Sequence, residues 1–320
     1  MKRLAFRSDK LVSSLLLTLL LIIPLLAKNI YYLHLLNYSL IAIILVIGLN
    51  LLSGYAGQIS IGHAAFYGMG AYFSAIMTVT YKLSFWLVLP LSGLFTATIG
   101  YIVGRATLRL KGAYLAVASI GIGVITQMIM TNWTAVTMGA QGFKGIKFPV
   151  LFGFKFNTDF RYYYLIAAIL VIVYWAVSRI IESGMGRSLR AIREDETAAQ
   201  FMGVDAKNLK IAAFVISTFL AGIAGSLLAH LEGYLSPYSF GFTQSVGFLL
   251  MALAGGLGYK LGPIIGVLVL TFAREFIRFF NDYQLVIYGL MLIMIIVFMP
   301  RGISGFLIST FGKKKMERGE

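Results

Sequence analysis

The 320-residue chain contains no cysteine. That absence removes disulfides, thiolate catalysis and Cys-ligated zinc or iron–sulfur centres, although it names no compartment. Charge is scarce too. Only 12% of residues are Asp, Glu, Lys or Arg, against roughly a quarter in ordinary globular domains, which leaves too few polar side chains to cover a water-facing surface. Carboxylates are absent altogether between Asp9 and Asp159, so that stretch offers a buried histidine no acidic partner for proton relay. The three histidines, His34, His63 and His230, are far apart and lack H-x-x-x-H or H-E-x-x-H spacing, so neither a metal nor a cofactor is expected. There is no G-x-x-x-x-G-K-[ST] phosphate loop and no G-x-S-x-G elbow. The chain is therefore not expected to be an enzyme, and any energy source is external or ionic.

What fills the chain is apolar: 59% of residues are hydrophobic and the mean hydropathy is +0.86. The bilayer is the solvent this composition fits. A hydrocarbon core of about 30 Å takes about 20 helical residues, and an open strand would leave peptide groups unpaired in lipid. The fold class expected is all-α, a polytopic integral membrane protein of about 8–10 transmembrane helices forming a single transmembrane domain over residues 1–320. Ten apolar runs fall at residues 11–27, 30–52, 58–79, 83–103, 113–131, 162–181, 211–231, 243–257, 261–280 and 285–299. The first follows four basic residues but no A-x-A site, so it reads as a retained helix rather than a cleaved signal. The eighth and ninth are the weakest, the eighth being short and the ninth crowded by Arg274, Glu275 and Arg278. As a re-entrant pair they would lower the count to eight.

The formal charge of +15 comes from 27 Lys and Arg against 12 Asp and Glu. The basic residues sit between apolar runs without interleaved aromatic patches, so nucleic acid is not an expected partner. Along an alternating path that starts inside, nineteen Lys and Arg fall inside and eight outside, which places both termini in the cytoplasm. Tyr31, Tyr32, Phe85, Trp86, Trp133 and residues 162–164 fall at span ends, where aromatic belts sit. Two loops are long: an external one at 132–161, rich in glycine, and an internal, charged one at 182–210.

The segment GLNLLSGYAGQISIGHAAFYGMGAY (residues 48–72) gathers Gly48, Gly54, Gly57, Gly62, Gly68 and Gly70 with Asn50, Ser53, Gln58, Ser60 and His63. Each helical glycine costs up to about 1 kcal/mol relative to alanine, so close backbone packing or a helix break is expected. Polar groups at membrane depth face protein or a water-filled path. Gly54, Gly57, Gln58, Ser60, Gly62 and His63 are thus candidates for a translocation path. Gly222 and Gly225 join them, because LAGIAG (residues 220–225) echoes LSGYAG (residues 52–57). Helix packing and interhelical hydrogen bonding explain the same residues without a substrate, and both explanations stand at this level. Gly255, Gly256, Gly258, Gly262 and Gly266 form a second small-residue seam. The internal loop GRSLRAIREDETAAQFMGVD (residues 186–205) interleaves charge with Leu189, Ile192, Ala198, Ala199, Phe201 and Met202, as expected of a short amphipathic helix that docks on a partner.

These motifs together resemble the LivM-type permease subunit of bacterial branched-chain amino acid ABC importers, over residues 41–305. The most specific parts are residues 48–72, 186–205, AGIAGSL (221–227) and ALAGGLGYKLGPIIG (252–266). The resemblance implies a multi-pass protein of the bacterial inner membrane. It implies four partners besides the lipid bilayer: a second, LivH-type permease subunit, two cytoplasmic ATP-binding subunits and an external substrate-binding protein. The cargo it implies is leucine, isoleucine or valine, with urea or a related small amide as an alternative cargo and an ion-coupled secondary transporter as an alternative mechanism. The internal loop is similar to the E-A-A-x-x-x-G coupling element of such permeases. Ala198, Ala199 and Gly203 match its core, Thr197 stands in the glutamate position and Glu196 is displaced by one. The resemblance thus assigns ATPase coupling to Arg187, Arg190, Arg193, Glu196, Ala198, Ala199, Gly203 and Asp205.

Overall fold

The computed structural model describes residues 23–24, 29–107, 113–151, 153–278 and 283–317, and they form a bundle of helices. The apolar run at 11–27 lies, apart from residues 23 and 24, outside the described residues. The first helix bounded within the described residues, α1 (Ile30–Leu49), begins where the Asn29 side chain accepts the Tyr31 N–H at 3.0 Å. It passes into a single wide π turn, Asn50–Tyr55. Then follow α2 (His63–Val79), α3 (Phe85–Thr107), α4 (Ala113–Asn132) and α5 (Asp159–Glu182). The internal loop folds as α6 (Gly184–Glu194) and α7 (Glu196–Phe201). The chain continues as α8 (Ala206–Glu232), α9 (Phe242–Gly255), α10 (Gly262–Ile277), α11 (Gln284–Phe298) and α12 (Gly302–Glu317).

Among the described residues, five helices are long and apolar enough to cross a membrane: Ile30–Tyr55, Phe85–Thr107, Tyr114–Asn132, Asp159–Glu182 and Ala206–Glu232. The chain is a polytopic helical membrane protein. The α1 helix is its axis, 89% of its most apolar stretch being buried, whereas α4, at 28%, lies on the rim. The α8 helix packs between α2 and α3 and against α1. Gly222 makes this possible: a Cβ there would lie 2.1 Å from Thr96 Oγ1 and 2.6 Å from the Ser92 carbonyl of α3, and the Gly70 position on α2 meets the Gly222 backbone at 2.5 Å. At that spacing small polar side chains can reach across. Thr96 Oγ1 donates to the Thr218 carbonyl at 2.9 Å, the Ser74 and Ser226 hydroxyls are 2.8 Å apart, and the Tyr162 hydroxyl donates to the Leu227 carbonyl at 2.8 Å. Tyr162 and Tyr163 are consequently buried in the core rather than placed in an aromatic belt.

The two ends of the bundle differ. At the Asp159 end, His34 lies 3.4 Å from Asp159 and 3.5 Å from Glu232. The loop at 132–161 closes over this end, with a helical turn, Thr134–Thr137, and three of four two-residue strands: β1 (Phe143–Lys144), β2 (Val150–Leu151), β3 (Phe154–Lys155) and, beyond α8, β4 (Tyr234–Leu235). Strand β1 pairs with β4 and β2 with β3, both antiparallel. The Trp86 indole N–H donates to the Val150 carbonyl at 2.9 Å, and His230 Nδ1 lies 2.7 Å from the Lys147 carbonyl. The opposite end carries α6 and α7 and is called here the Arg193 end.

The eighth and ninth apolar runs are neither two equal traverses nor a re-entrant pair. Helix α9 has 14 residues, a length of about 21 Å. Its first turn lies inside the bundle, with Gln244 donating to the Tyr38 hydroxyl at 2.8 Å and Ser245 Oγ accepting the Ala64 N–H at 3.1 Å. The segment before it dips inward, and Phe240 is buried edge-on against Tyr67 and Tyr72. Helix α10, by contrast, ends where Glu275 accepts the Tyr31 hydroxyl at 2.7 Å, level with the start of α1.

Candidate functional site

The apolar run at 58–79 is helical only from His63 onward; residues 57–62 are irregular. Helix α1 ends in its π turn, Gly57 adopts φ +69°, and the chain passes from beside Arg193 at Gly57 to beside Ser119 of α4 at Gly62 before α2 starts. The terminal carbonyls of a helix need donors from elsewhere, and here they find them close by. Gln58 N–H bonds to the Leu52 carbonyl at 3.2 Å and an Arg193 guanidinium N–H donates to the Gly54 carbonyl, while Ser53 Oγ in turn donates to the Gln58 carbonyl of the following segment at 2.9 Å.

Each candidate path residue has a definite place. Gly54 is pressed against the α9–α10 turn, where a Cβ would meet the Gly258 nitrogen at 2.4 Å; Gly62 meets the Ser119 carbonyl of α4 at 2.3 Å. Gly222 and Gly225 meet α3 and α2, Gly225 lying 2.1 Å from the Tyr67 carbonyl by the same measure. Gly57 is exposed and Gln58 half-buried, while Ser60 is buried. His63 is fully buried, 3.0 Å from Ser60 Oγ and 2.6 Å from Ser217 Oγ. A neutral imidazole satisfies both contacts, donating through one nitrogen and accepting at the other. A cavity of about 10 Å³ lies among Leu52, Gln58, Ser60, Gly62, Phe66 and Ser119, room for about one water molecule. Gln58, Ser60, Gly62 and His63 are therefore brought together, while Gly222 and Gly225 belong to the α8 packing face.

The loop at 182–210 is two helices, not one. Asp195, extended at φ −153°, ends α6, and its carboxylate caps α7 by accepting the Thr197 and Ala198 N–H groups at 2.9 and 3.0 Å. Leu189 is buried in the main core, and Ile192 packs with Ala199 and Ala206 in a small core of its own. Of the candidate coupling residues only Ala199 is buried and Glu196 half-buried, but the charged ones bond back to the protein. Arg187 donates to the Glu182 carbonyl at 3.2 Å. Arg190 donates to the Gly186 and Ile181 carbonyls at 3.2 and 3.1 Å and lies 5.9 Å from the Tyr55 ring centroid. Glu196 pairs with the buried Lys210 at 2.7 Å, and Asp205 caps α8 through the Asn208 N–H at 3.1 Å. Ala198, Phe201, Met202 and Gly203 are exposed without such a bond, Phe201 and Met202 at 87% and 85%. Gly203 turns the chain at φ +82° with nothing within 4 Å of a would-be Cβ. Ser217 is the residue that sequence reasoning missed. The available signal is a Ser-Thr pair, Ser217 and Thr218, in the apolar run at 211–231.

Residues 31–296 match the family described as "Branched-chain amino acid transport system / permease component". The chain is 34% identical over 288 residues to the high-affinity branched-chain amino acid transport system permease protein LivM of Escherichia coli, covering 83% of this chain and 68% of that protein. It is 28% identical over 295 residues to the LivH permease protein of Salmonella typhimurium, covering 84% and 91%. A probable LivM permease protein of Methanocaldococcus jannaschii is 24% identical over 238 residues, covering 68% of each. No solved structure matches. A match that runs from the first turn of α1 almost to the end of α11 takes in both the glycine-broken segment and the α6–α7 loop, and the chain belongs to the family of branched-chain amino acid transport permease components.

Proposed function

We propose that this chain is a permease subunit of an ATP-driven importer of leucine, isoleucine or valine in a bacterial inner membrane. In this reading it pairs with a second, LivH-type permease subunit, receives cargo from an external binding protein and is driven by two cytoplasmic ATP-binding subunits. The observation that carries the reading is the α6–α7 loop. It bears the A-A-x-x-x-G core of a coupling element, it is held rigidly by Lys210–Glu196 and the Asp195 cap, and it leaves Phe201 and Met202 bare beside Gly203. An apolar pair exposed on a charged loop costs free energy unless a partner covers it. On a segment this rich in charge, side chains exposed at 87% and 85% suit a groove in an ATP-binding subunit.

Cargo would pass beside the segment at 57–62, where Gln58 and Ser60 offer hydrogen bonds to the charged ends of an amino acid. The small cavity there must widen for a side chain the size of leucine, so transport requires movement of α1, α2 or α4 around it. The test is reconstitution of the chain with its second permease, ATP-binding subunits and binding protein in vesicles. Uptake of labelled leucine should require ATP and the binding protein together. Uptake without any ATP-binding subunit that follows a proton or sodium gradient would overturn the reading, and a binding protein specific for urea would change the cargo.

A further inference from the structure

The Arg193 end holds a junction in which a coupling candidate, Arg193, and a path candidate, Gly54, meet around Asn50, which has no role so far. Asn50, 3% exposed in the first residue of the π turn, uses both halves of its amide on one backbone turn: Nδ2 donates to the Tyr259 carbonyl at 2.9 Å, and Oδ1 accepts the Gly258 N–H at 2.9 Å. One turn later the Gly54 carbonyl takes the Arg193 guanidinium N–H. The three chains meet without spare room. A Cβ on Gly54 would lie 2.3 Å from Asn50 Oδ1 and 2.4 Å from the Gly258 nitrogen, and a Cβ on Gly258 would lie 2.7 Å from the Arg193 guanidinium. Gly258 also sits at φ +82°, a conformation that disfavours any side chain. Lys260, in the same turn, pairs with Glu182 at the end of α5, two residues before α6 begins.

We infer that Asn50 and Arg193 are positioning residues that form one strut, joining the α6–α7 loop to the broken end of α1 and to the α9–α10 turn. This rests on the proposed function and specifies how its force is carried. Arg193 stands in the last turn of α6, two residues before the Asp195 cap of α7. A displacement of α7 by a partner therefore reaches the Gly54 carbonyl through one side chain. From Gly54 it reaches α2 through residues 57–62, and through Asn50 it reaches α9 and α10. A π turn is suited to this, because it is a helical segment that can exchange its register for the regular one, and such bulges cluster at functional sites. Arginine suits it too: a planar, permanently charged donor holds a carbonyl at fixed geometry where a lysine swivels.

The experiment uses the whole reconstituted importer and measures leucine imported per ATP hydrolysed. Arg193→Ala removes an exposed side chain and should leave assembly with the ATP-binding subunits intact while lowering that ratio at least tenfold. Arg193→Lys should restore it in part. Asn50→Asp, which keeps the acceptor for Gly258 and loses the donor to Tyr259, should lower it as well, and it serves as an independent arm should either residue prove needed for folding. A wild-type ratio in Arg193→Ala and Asn50→Asp, with wild-type uptake dependent on ATP, would overturn the strut alone. Loss of assembly in Arg193→Ala would also overturn it, making Arg193 a docking contact. If the wild-type complex imports without ATP, the proposed function fails first and the strut falls with it.

Discussion

Glycines in this chain divide by what their missing Cβ would meet, and the division is a measurable one. At Gly222 an added methyl group would strike Thr96 Oγ1 at 2.1 Å and the Ser92 backbone at 2.6 Å, whereas at Gly121 of α4 nothing lies within 4 Å. Overpacking a tight helix contact typically costs about 1–3 kcal/mol, and glycine to alanine in an open helical position gains up to about 1 kcal/mol. Gly222→Val should thus lower the thermal midpoint in detergent by roughly 5 °C or more, at about 2–4 °C per kcal/mol for a mid-sized domain, and Gly121→Ala should leave it level or raise it. Equal behaviour of the two variants in a thermal melt would show that α8 does not pack on α3 as closely as described. Residue-level reasoning from sequence reached this far, since glycine at helical spacing in an apolar run has few uses besides close approach. It did not reach the bond from His63 to Ser217, whose partners stand 154 positions apart, because a pair that far apart is created only when α2 and α8 pack.

At the scale of elements, hydrophobic runs located the helices but not their breaks. The run at 58–79 is continuous in composition, yet residues 57–62 leave the helix: Gly57 at φ +69° and the π turn before it set the local path, and neither leaves a mark on mean hydropathy. The same holds for α9, whose early start inside the bundle depends on Gln244 and Ser245 finding Tyr38 and Ala64. The loop at 182–210 read correctly as amphipathic and helical, but its division at Asp195 turns the apolar residues to two different purposes. Leu189, Ile192 and Ala199 are buried within the chain, and Phe201 and Met202 are left outside. Replacing the outer pair with alanine should leave folding unchanged, since neither side chain packs on the chain, while weakening capture of the ATP-binding subunits at least tenfold in a pull-down from detergent. Unchanged capture by the double variant Phe201→Ala, Met202→Ala would move the docking surface away from α7.

For the molecule as a whole, the remaining question is which end of the bundle faces the cytosol, and charge supplies the argument. Nineteen of the 27 basic residues fall on one side of the alternating path, five of them, Arg187, Arg190, Arg193, Lys207 and Lys210, within the loop at 182–210. Transfer of such a cluster across the membrane during insertion is disfavoured, so the Arg193 end is expected inside and the Asp159 end outside. Several of these charges are engaged within the fold, Lys210 by Glu196 and Arg193 by Gly54, but those pairings form only after the chain has been threaded and do not alter the bias that orients it. The absence of cysteine makes the prediction direct to check, because a single introduced thiol is the only one present. Gln200→Cys and Ala140→Cys both place it at an exposed position, at opposite ends. A membrane-impermeant maleimide should label position 140 and spare position 200 in right-side-out vesicles, and the pattern should reverse in inverted ones. The opposite pattern would put α7 on the external face, out of reach of any cytoplasmic ATP-binding subunit, and an importer driven through that helix could not work.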